Sequence, residues 1–189
     1  MTPIGHISIS ILAGKKFSKN FLTGIIIGGI LPDLDWALVI IPGLENMHRI
    51  AGHNIFYVII AGLITYLMVK QNKKKAFTGG IIIGCLLHLL ADSFFDNNPL
   101  NGTGIYPLWP LSNQDFLIAN LSYHSQSIPP AWSNFIERIL YMLSDIIWDI
   151  FFAFLTTIVL FWEKIKDKLY SKVPLKDEHS VTSGKSPQD

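Results

Sequence analysis

The chain has 189 residues, of which 50% are hydrophobic and 15% are charged. Because about a quarter of the residues in soluble domains are charged, this composition argues against an ordinary soluble protein. The net charge of +1 excludes the strongly basic field of a nucleic-acid-binding protein, so no nucleic-acid partner is expected.

Apolar runs, taken in chain order, predict an all-α polytopic membrane bundle. Four runs approach the length of about 20 residues that a transmembrane helix needs, and they cover residues 23–41, 54–70, 77–95 and 139–162. A fifth run, residues 4–13, is too short to span and predicts a short N-terminal helix. Residues 1–172 should therefore form a single domain of about four transmembrane helices in the lipid bilayer. A soluble protein with buried core helices is the alternative.

The distribution of basic residues predicts the orientation of this bundle. All but Arg49 and Arg138 of the 15 Lys and Arg residues fall on one side of the four predicted spans, and the positive-inside rule assigns that side to the cytoplasm. We therefore expect a multi-pass protein of the plasma membrane. Residues 96–138, on the outer side, predict a long cap loop. Residues 173–189 are polar and predict a disordered cytoplasmic tail.

The strongest local signal for a functional site is a histidine and a carboxylate four residues apart. His88 and Asp92 share one face of the predicted third span, where both can bind one metal ion. Ionisable groups in such apolar surroundings need partners or a cation. The alternative is a metal-free buried pair in which the imidazole donates to the carboxylate.

Two further carboxylates, Asp33 and Asp35, follow Pro32, which should kink or break the first span. A kinked turn could direct both toward one cation, although they could instead cap a helix that begins near residue 35. At a rise of 1.5 Å per residue, Asp33, Asp35, His88 and Asp92 all lie roughly 5–12 Å below the outer boundary of the predicted spans. This common depth favours one shared site.

The short outer loop and the N-terminal helix add imidazoles near the same level, together with Arg49, whose planar guanidinium suits a phosphate or a carboxylate. Imidazole and carboxylate donors fit Zn²⁺, Mn²⁺ or Fe better than Mg²⁺ or Ca²⁺. We expect one or two divalent transition-metal ions, with zinc as the first choice. The candidate metal ligands are His6, Asp33, Asp35, His48, His53, His88 and Asp92.

Three other ionisable residues have roles that the sequence leaves open. Asp145 and Asp149, four residues apart in the predicted fourth span, could add a ligand or accept a hydrogen bond from a ligating histidine. They could equally form a polar stripe packed toward the other helices. His124 lies in the predicted cap loop, where it could face a substrate.

Five short motifs in order resemble a bacterial and archaeal family of membrane-bound metal-dependent hydrolases, described as LexA-regulated or YdjM-like. The matching segments cover roughly residues 5–112; they are His6, Leu-Pro-Asp-Leu-Asp (31–35), His-Arg-xxx-His (48–53), Gly-Cys-Leu-Leu-His-Leu-Leu-Ala-Asp (84–92) and Gly-Ile-Tyr-Pro-Leu-Trp-Pro (104–110). The resemblance implies a helical membrane protein with a metal centre, distantly similar to zinc-dependent phospholipase C, and implies ligand roles for the seven candidates. Ile50, Gly52 and Phe95 depart from the family pattern, which has Gly, Thr and Thr at these places.

These observations predict a membrane-bound, metal-dependent hydrolase that cleaves a small-molecule or lipid phosphoester at the outer face. In this hypothesis a metal-activated water attacks, Asp35 or another carboxylate that binds no metal acts as general base, and Arg49 could hold the phosphate. The alternatives are a metal-binding or metal-transporting membrane protein without hydrolase activity, and a non-catalytic structural membrane protein. A transporter would need polar residues through the inner half of the spans, and residues 23–30 and 77–84 offer few.

Overall fold

The computed structural model describes residues 1–44, 47–95, 104–114, 116 and 135–170. Most of the predicted cap loop, His124 and the tail 173–189 lie outside these residues, as does the side chain of Asp145. The described part is all-helical, as predicted, and contains no strand beyond an isolated antiparallel bridge between Ile105 and Phe116. The helices are α1 (Pro3–Gly14), α2 (Lys19–Gly28), a 3₁₀ helix (Leu31–Ile40), α3 (Ile55–Met68), α4 (Gln71–Phe95) and α5 (Phe135–Tyr170).

Three segments are long and apolar enough to cross a membrane, namely Lys19–Leu38, Gln71–Phe95 and Ile146–Lys166. The predicted first span is composite, because α2 ends at Gly28 and the chain continues as the 3₁₀ helix. The expected interruption before the carboxylates is confirmed, and it begins at Gly29 rather than at Pro32, which lies inside the 3₁₀ helix. Proline has no N–H to donate, so the α-helical hydrogen bond from residue 32 to the carbonyl of Gly28 cannot form. Helix α3 has only 14 residues, so a fourth crossing is not established.

The chain divides into two compact units, Met1–Thr156 and Thr157–Asp189. The described residues of the second unit are the end of α5, with exposed Phe161 and Trp162 and a basic Lys168 in the last turn. All residues of the candidate site belong to the first unit.

Helices α2 and α4 run parallel with their backbones in direct contact, because glycines at a spacing of four face each other. A Cβ atom on Gly24 would overlap the carbonyl oxygen of Phe77, and one on Gly28 would overlap that of Ile81. From the other side, a Cβ on Gly84 would overlap the carbonyl oxygen of Ile25. Such small-residue spacing is typical of helix pairs in membranes, where close backbone approach replaces the hydrophobic driving force.

Helices α1 and α3 also belong to the first unit and run antiparallel to α4. Val58 and Ala61 of α3 pack with Ile81, Cys85 and Leu89 of α4 in a buried apolar cluster. Ile105 joins this cluster from the loop after α4, and Pro107 of the same loop accepts a hydrogen bond from the N–H of Ile55 at 3.0 Å. The start of α1, the start of α3 and the ends of α2 and α4 therefore meet at one end of the unit.

The glycine contact predicts different effects for two neighbouring substitutions in α4. A Cβ on Gly80 lies 2.8 Å from the backbone nitrogen of Ile25, whereas the nearest atom to one on Gly79 is a ring carbon of Phe21 at 3.8 Å. Gly80→Ala should lower the free energy of unfolding by about 1–3 kcal/mol, the usual cost of overpacking. Gly79→Ala should raise it by about 0.5–1 kcal/mol, because alanine is the better helix former. Thermal unfolding in detergent measures both, and equal effects would contradict the backbone contact.

Candidate metal centre

The candidate site lies where these helix ends meet, and its side chains come from α1, the 3₁₀ helix, the residue before the N-cap of α3, and the last two turns of α4. His6 is in the first turn of α1, and His88 and Asp92 occupy successive turns at the end of α4. Asp33 comes from the first turn of the 3₁₀ helix, and His53 directly precedes Asn54, which caps α3. Four chain segments separated in sequence thus supply five side chains to one place.

Polar atoms of these five side chains converge within hydrogen-bonding or metal-binding range. Asp92 Oδ1 lies 3.2 Å from His6 Nε2, and its Oδ2 lies 3.2 Å from His53 Nε2 and 3.3 Å from His88 Nε2. Asp33 Oδ1 is 3.5 Å from His88 Nε2 and 3.7 Å from His53 Nε2. One ligand atom from each of His6, Asp33, His88 and Asp92 falls within 4.8 Å of the others. The side chains are buried except that of Asp33, which is 21% exposed.

Two of the three imidazoles are held with Nε2 directed into the cluster. His88 Nδ1 donates to the carbonyl oxygen of Gly29 at 2.8 Å, and His53 Nδ1 donates to Asp35 Oδ2 at 3.1 Å. Since a hydrogen bond from one ring nitrogen sets which nitrogen is left for a metal, Nε2 is the available ligand atom in both. The two Nε2 atoms lie only 3.0 Å apart.

The donor set fits a divalent transition metal. Within the described residues, neither ring nitrogen of His6 makes a hydrogen bond, and neither does Asp33 Oδ2, although all three atoms are buried. Buried polar atoms are rarely left without partners, and a cation among them would satisfy the inward-facing ones. Three imidazoles and two carboxylates match Zn²⁺, Mn²⁺ or Fe²⁺.

Asp35 faces away from this cluster, although only one residue separates it from Asp33. Its Oδ1 accepts a hydrogen bond from His48 Nδ1 at 2.7 Å. Its Oδ2 accepts from the backbone N–H groups of Arg49 and Gly52 at 3.0 and 2.9 Å, in addition to His53. Both oxygens are thus occupied by donors. This geometry favours a role for Asp35 in orienting two histidines over the predicted roles of metal ligand and general base, and it separates His48 from the cluster.

The carboxylates also determine the charge of His53. Burial lowers the pKa of this imidazole, but hydrogen bonds to Asp33, Asp35 and Asp92 outweigh burial and raise the pKa to about 10. In the metal-free protein His53 is therefore protonated at neutral pH. A metal ion that binds Nε2 would displace that proton and leave the Nδ1 hydrogen bond to Asp35 intact.

A cavity of about 380 Å³ adjoins the cluster, a volume within the range of small-molecule binding sites. Asp33 lines the cavity and is also a member of the cluster, so it connects the cavity to the predicted ligands. Arg49 is 2% exposed and has a φ of 67°, an uncommon value for a residue other than glycine. The cavity is lined by Met1, Thr2, Pro3, Asp33, Trp36, His48 and Arg49.

Sequence reasoning missed two backbone contributions to the site. The carbonyl of Gly29 orients His88, and the N–H of Thr2 contacts Asp149, as described below. The Gly-Gly pair at 28–29 is a sequence signal of close backbone approach, and it could have indicated the contact between the Gly29 carbonyl and His88. Asp149, left open by the sequence, is buried and contacts α1 rather than a histidine.

Removal of the helical pair should abolish metal binding. The double variant His88→Ala/Asp92→Ala removes two converging donors, so we expect it to insert into the membrane but to retain no stoichiometric transition metal after purification. Elemental analysis of detergent-purified protein measures the difference. Ser93→Ala is the matched control, because the Ser93 hydroxyl is buried in the same turn but donates to the carbonyl of Leu90. Full metal content in the double variant would contradict the assignment.

Comparison with known proteins agrees with the motifs read from the sequence. Residues 1–167 match the model of a family described as YdjM inner membrane protein. No curated protein and no solved structure is significantly similar to the chain. Since the match covers most of the chain, the protein belongs to the YdjM inner membrane protein family.

Proposed function

We propose that the protein is a membrane-bound, metal-dependent hydrolase of phosphoesters. The observation that carries this proposal is the convergence of three imidazoles and two carboxylates beside a cavity into which an arginine is built. The proposed ligands are His6, Asp33, His53, His88 and Asp92. When bound, a divalent metal ion lowers the pKa of water and so supplies a nucleophile at neutral pH.

Arg49 is proposed to bind the phosphate. Its guanidinium is planar and permanently charged, and it can form two parallel hydrogen bonds to phosphoryl oxygens. The positive φ at this position costs free energy that a glycine would not incur. The backbone N–H of Arg49 holds Asp35, a contact that any residue except proline could make. The strained position therefore supports a role for the side chain in the cavity.

His48 is proposed to move the proton that the leaving group needs. Its Nδ1 donates to Asp35 at 2.7 Å, so Nε2 is the nitrogen left to exchange a proton within the cavity. A carboxylate that orients an imidazole in this way is a recurrent catalytic arrangement. Asp35 also holds His53 on the other side, which links the proposed proton carrier to the cluster.

The membrane arrangement supports a site on the non-cytoplasmic side. Lys15 and Lys16 follow α1, and Lys70 and Lys73 lie at the junction of α3 and α4; these positions are at the end of the first unit opposite the cluster. By the positive-inside rule that end faces the cytoplasm. The proposal includes α3 as a fourth crossing and a cytoplasmic C-terminal tail.

Transport of a metal ion is less well supported than hydrolysis. A pathway across the membrane would need polar groups beyond the cluster. The buried ionisable side chains of the described residues all lie at the end that holds the cluster. Toward the other end, buried polar side chains are hydroxyls such as Ser10 and Thr78. The metal ion is therefore proposed as a resident cofactor.

Substitution of Arg49 tests the phosphate-binding role. Arg49→Gln should lower kcat/KM for phosphoesters by about 10²–10³, because one preorganised charged donor is lost, while zinc content stays unchanged. Phosphate release is measured with zinc-reconstituted protein in lipid nanodiscs and a panel of soluble and lipid phosphoesters. Lys75→Gln, the same loss of charge at the opposite end, is the control. Absence of any cleavage by zinc-loaded wild type would overturn the proposed function.

Substitution of His48 separates proton transfer from metal binding. His48→Ala should lower kcat by about 10²–10⁴, the usual contribution of a general acid or base, and added imidazole should restore part of the rate. Zinc binding should persist, since His48 Nδ1 is held by Asp35 outside the cluster. If zinc content falls with the rate, His48 is a ligand and the proton-transfer role is wrong.

A further inference from the structure

Asp149 of α5 is a buried carboxylate that the proposed reaction does not use. It is 4% exposed and lies within a candidate membrane span, where a charged side chain is costly unless it has a partner. Both of its oxygens lie 3.2 Å from the backbone nitrogen of Thr2. Among the described residues, the carboxylate therefore accepts from the N–H of Thr2, which directly precedes α1.

Thr2 in turn holds the first turn of α1. Its carbonyl oxygen accepts hydrogen bonds from the N–H groups of Gly5 and His6 at 3.1 and 3.4 Å. Its hydroxyl oxygen accepts from the N–H of Ile4 at 3.3 Å. A negative charge beside a helix N-terminus is also favoured by the helix dipole. Two consecutive hydrogen bonds thus connect Asp149 to the backbone of His6.

The contact between α5 and α1 leaves no room for a side chain at position 5. A Cβ atom on Gly5 would overlap Asp149 Oδ1. The carboxylate is therefore seated against the α1 backbone, and glycine at this position permits the approach. The next residue is His6, whose ring stacks on that of His88 with centroids 3.8 Å apart and an interplanar angle of 21°.

His6 depends on its backbone more than the other two imidazoles of the cluster do. Hydrogen bonds from Nδ1 orient His53 and His88, whereas Nδ1 of His6 has no hydrogen-bond partner among the described residues. Its Nε2 faces Asp92 Oδ1 at 3.2 Å, so the ring stack, this contact and the position of α1 place it, and no hydrogen bond from Nδ1 fixes the ring. A small shift of the start of α1 would therefore move this ligand atom first.

We propose that Asp149 is a positioning residue for the metal centre, which fixes the start of α1 and thereby sets His6 against His88 and Asp92. This inference rests on the proposed function for the identity of the ligands. In this inference Asp149 gives α5 a supporting role at the site, because it holds the helix that carries His6.

A second contact between the same two helices supplies a matched control. The hydroxyl of Thr156 donates to the carbonyl oxygen of Ser8 at 3.2 Å, two turns of α5 beyond Asp149. Thr156→Val removes this hydrogen bond and keeps the size of the side chain. If Asp149→Ala acts by loosening the packing between α1 and α5 in general, Thr156→Val should have an equal effect. If it acts by removing the hydrogen bond to Thr2, Thr156→Val should have little effect.

The test compares zinc affinity of Asp149→Ala, Asp149→Asn and Thr156→Val in the wild-type and His6→Ala backgrounds. Asp149→Ala should weaken zinc binding by about 10–100-fold, as for other residues that support a ligand. Asp149→Asn keeps one acceptor for Thr2 and should recover part of the loss. In the His6→Ala background, Asp149→Ala should have no further effect. An equal loss in both backgrounds, or no loss in either, would overturn the proposal.

A measurement without metal separates this inference from the proposed function. Carbethoxylation of His6 in metal-free protein, followed by mass spectrometry, reports the exposure of its ring. Asp149→Ala should speed the modification of His6, and Thr156→Val should leave it at the wild-type rate. If wild type binds no zinc, the proposed function fails, and this rate alone decides the anchoring role. Unchanged protection of His6 in Asp149→Ala would show that Asp149 does not hold α1.

Discussion

The direct contact between the backbones of α2 and α4 is the constraint on which the candidate metal centre depends. Because glycines remove the side chains between the two helices, the carbonyl of Gly29 comes within 2.8 Å of His88 Nδ1. That hydrogen bond directs Nε2 of the same ring toward Asp33 and Asp92. Ordinary side chains between the two helices would hold them farther apart and move this carbonyl away from the ring, so packing and the orientation of His88 are coupled here.

The second organising group is Asp35, which accepts four hydrogen bonds from the loop that follows the 3₁₀ helix. It connects His48, which lines the cavity, with His53, which enters the cluster. Gly52 permits this, because its Cβ would lie 3.0 Å from Asp35 Oδ2. Preorganisation of this kind places the cost of orienting these side chains in folding rather than in any later binding or chemical step. The loop and the cluster are therefore one hydrogen-bonded assembly.

Spacing alone predicted the contact of His88 with Asp92, because an i, i+4 pair in a helix shares a face whatever surrounds it. Spacing could not predict which of Asp33 and Asp35 faces the cluster. Side chains two residues apart point in directions that differ by about 200° in an α-helix and about 240° in a 3₁₀ helix, and a kinked turn could direct either one inward. The role of Asp35 depends on hydrogen bonds from backbone N–H groups. Every residue except proline has such a group, so the sequence does not show which of them will contact Asp35. The anchoring of Thr2 by Asp149 joins opposite ends of the chain, where no local pattern operates.

The length of α3 has a consequence for the lipid around the protein. Fourteen residues extend about 21 Å, whereas the hydrocarbon core of a bilayer is about 30 Å thick. If α3 crosses as proposed, thinning of the bilayer beside it is one way to match the two lengths, at a cost of fractions of a kcal/mol per Å. Headgroups drawn inward there would come closer to the level of Asp33 and Trp36. Hydrophobic mismatch would thus make the protein sensitive to the acyl-chain length of its host membrane.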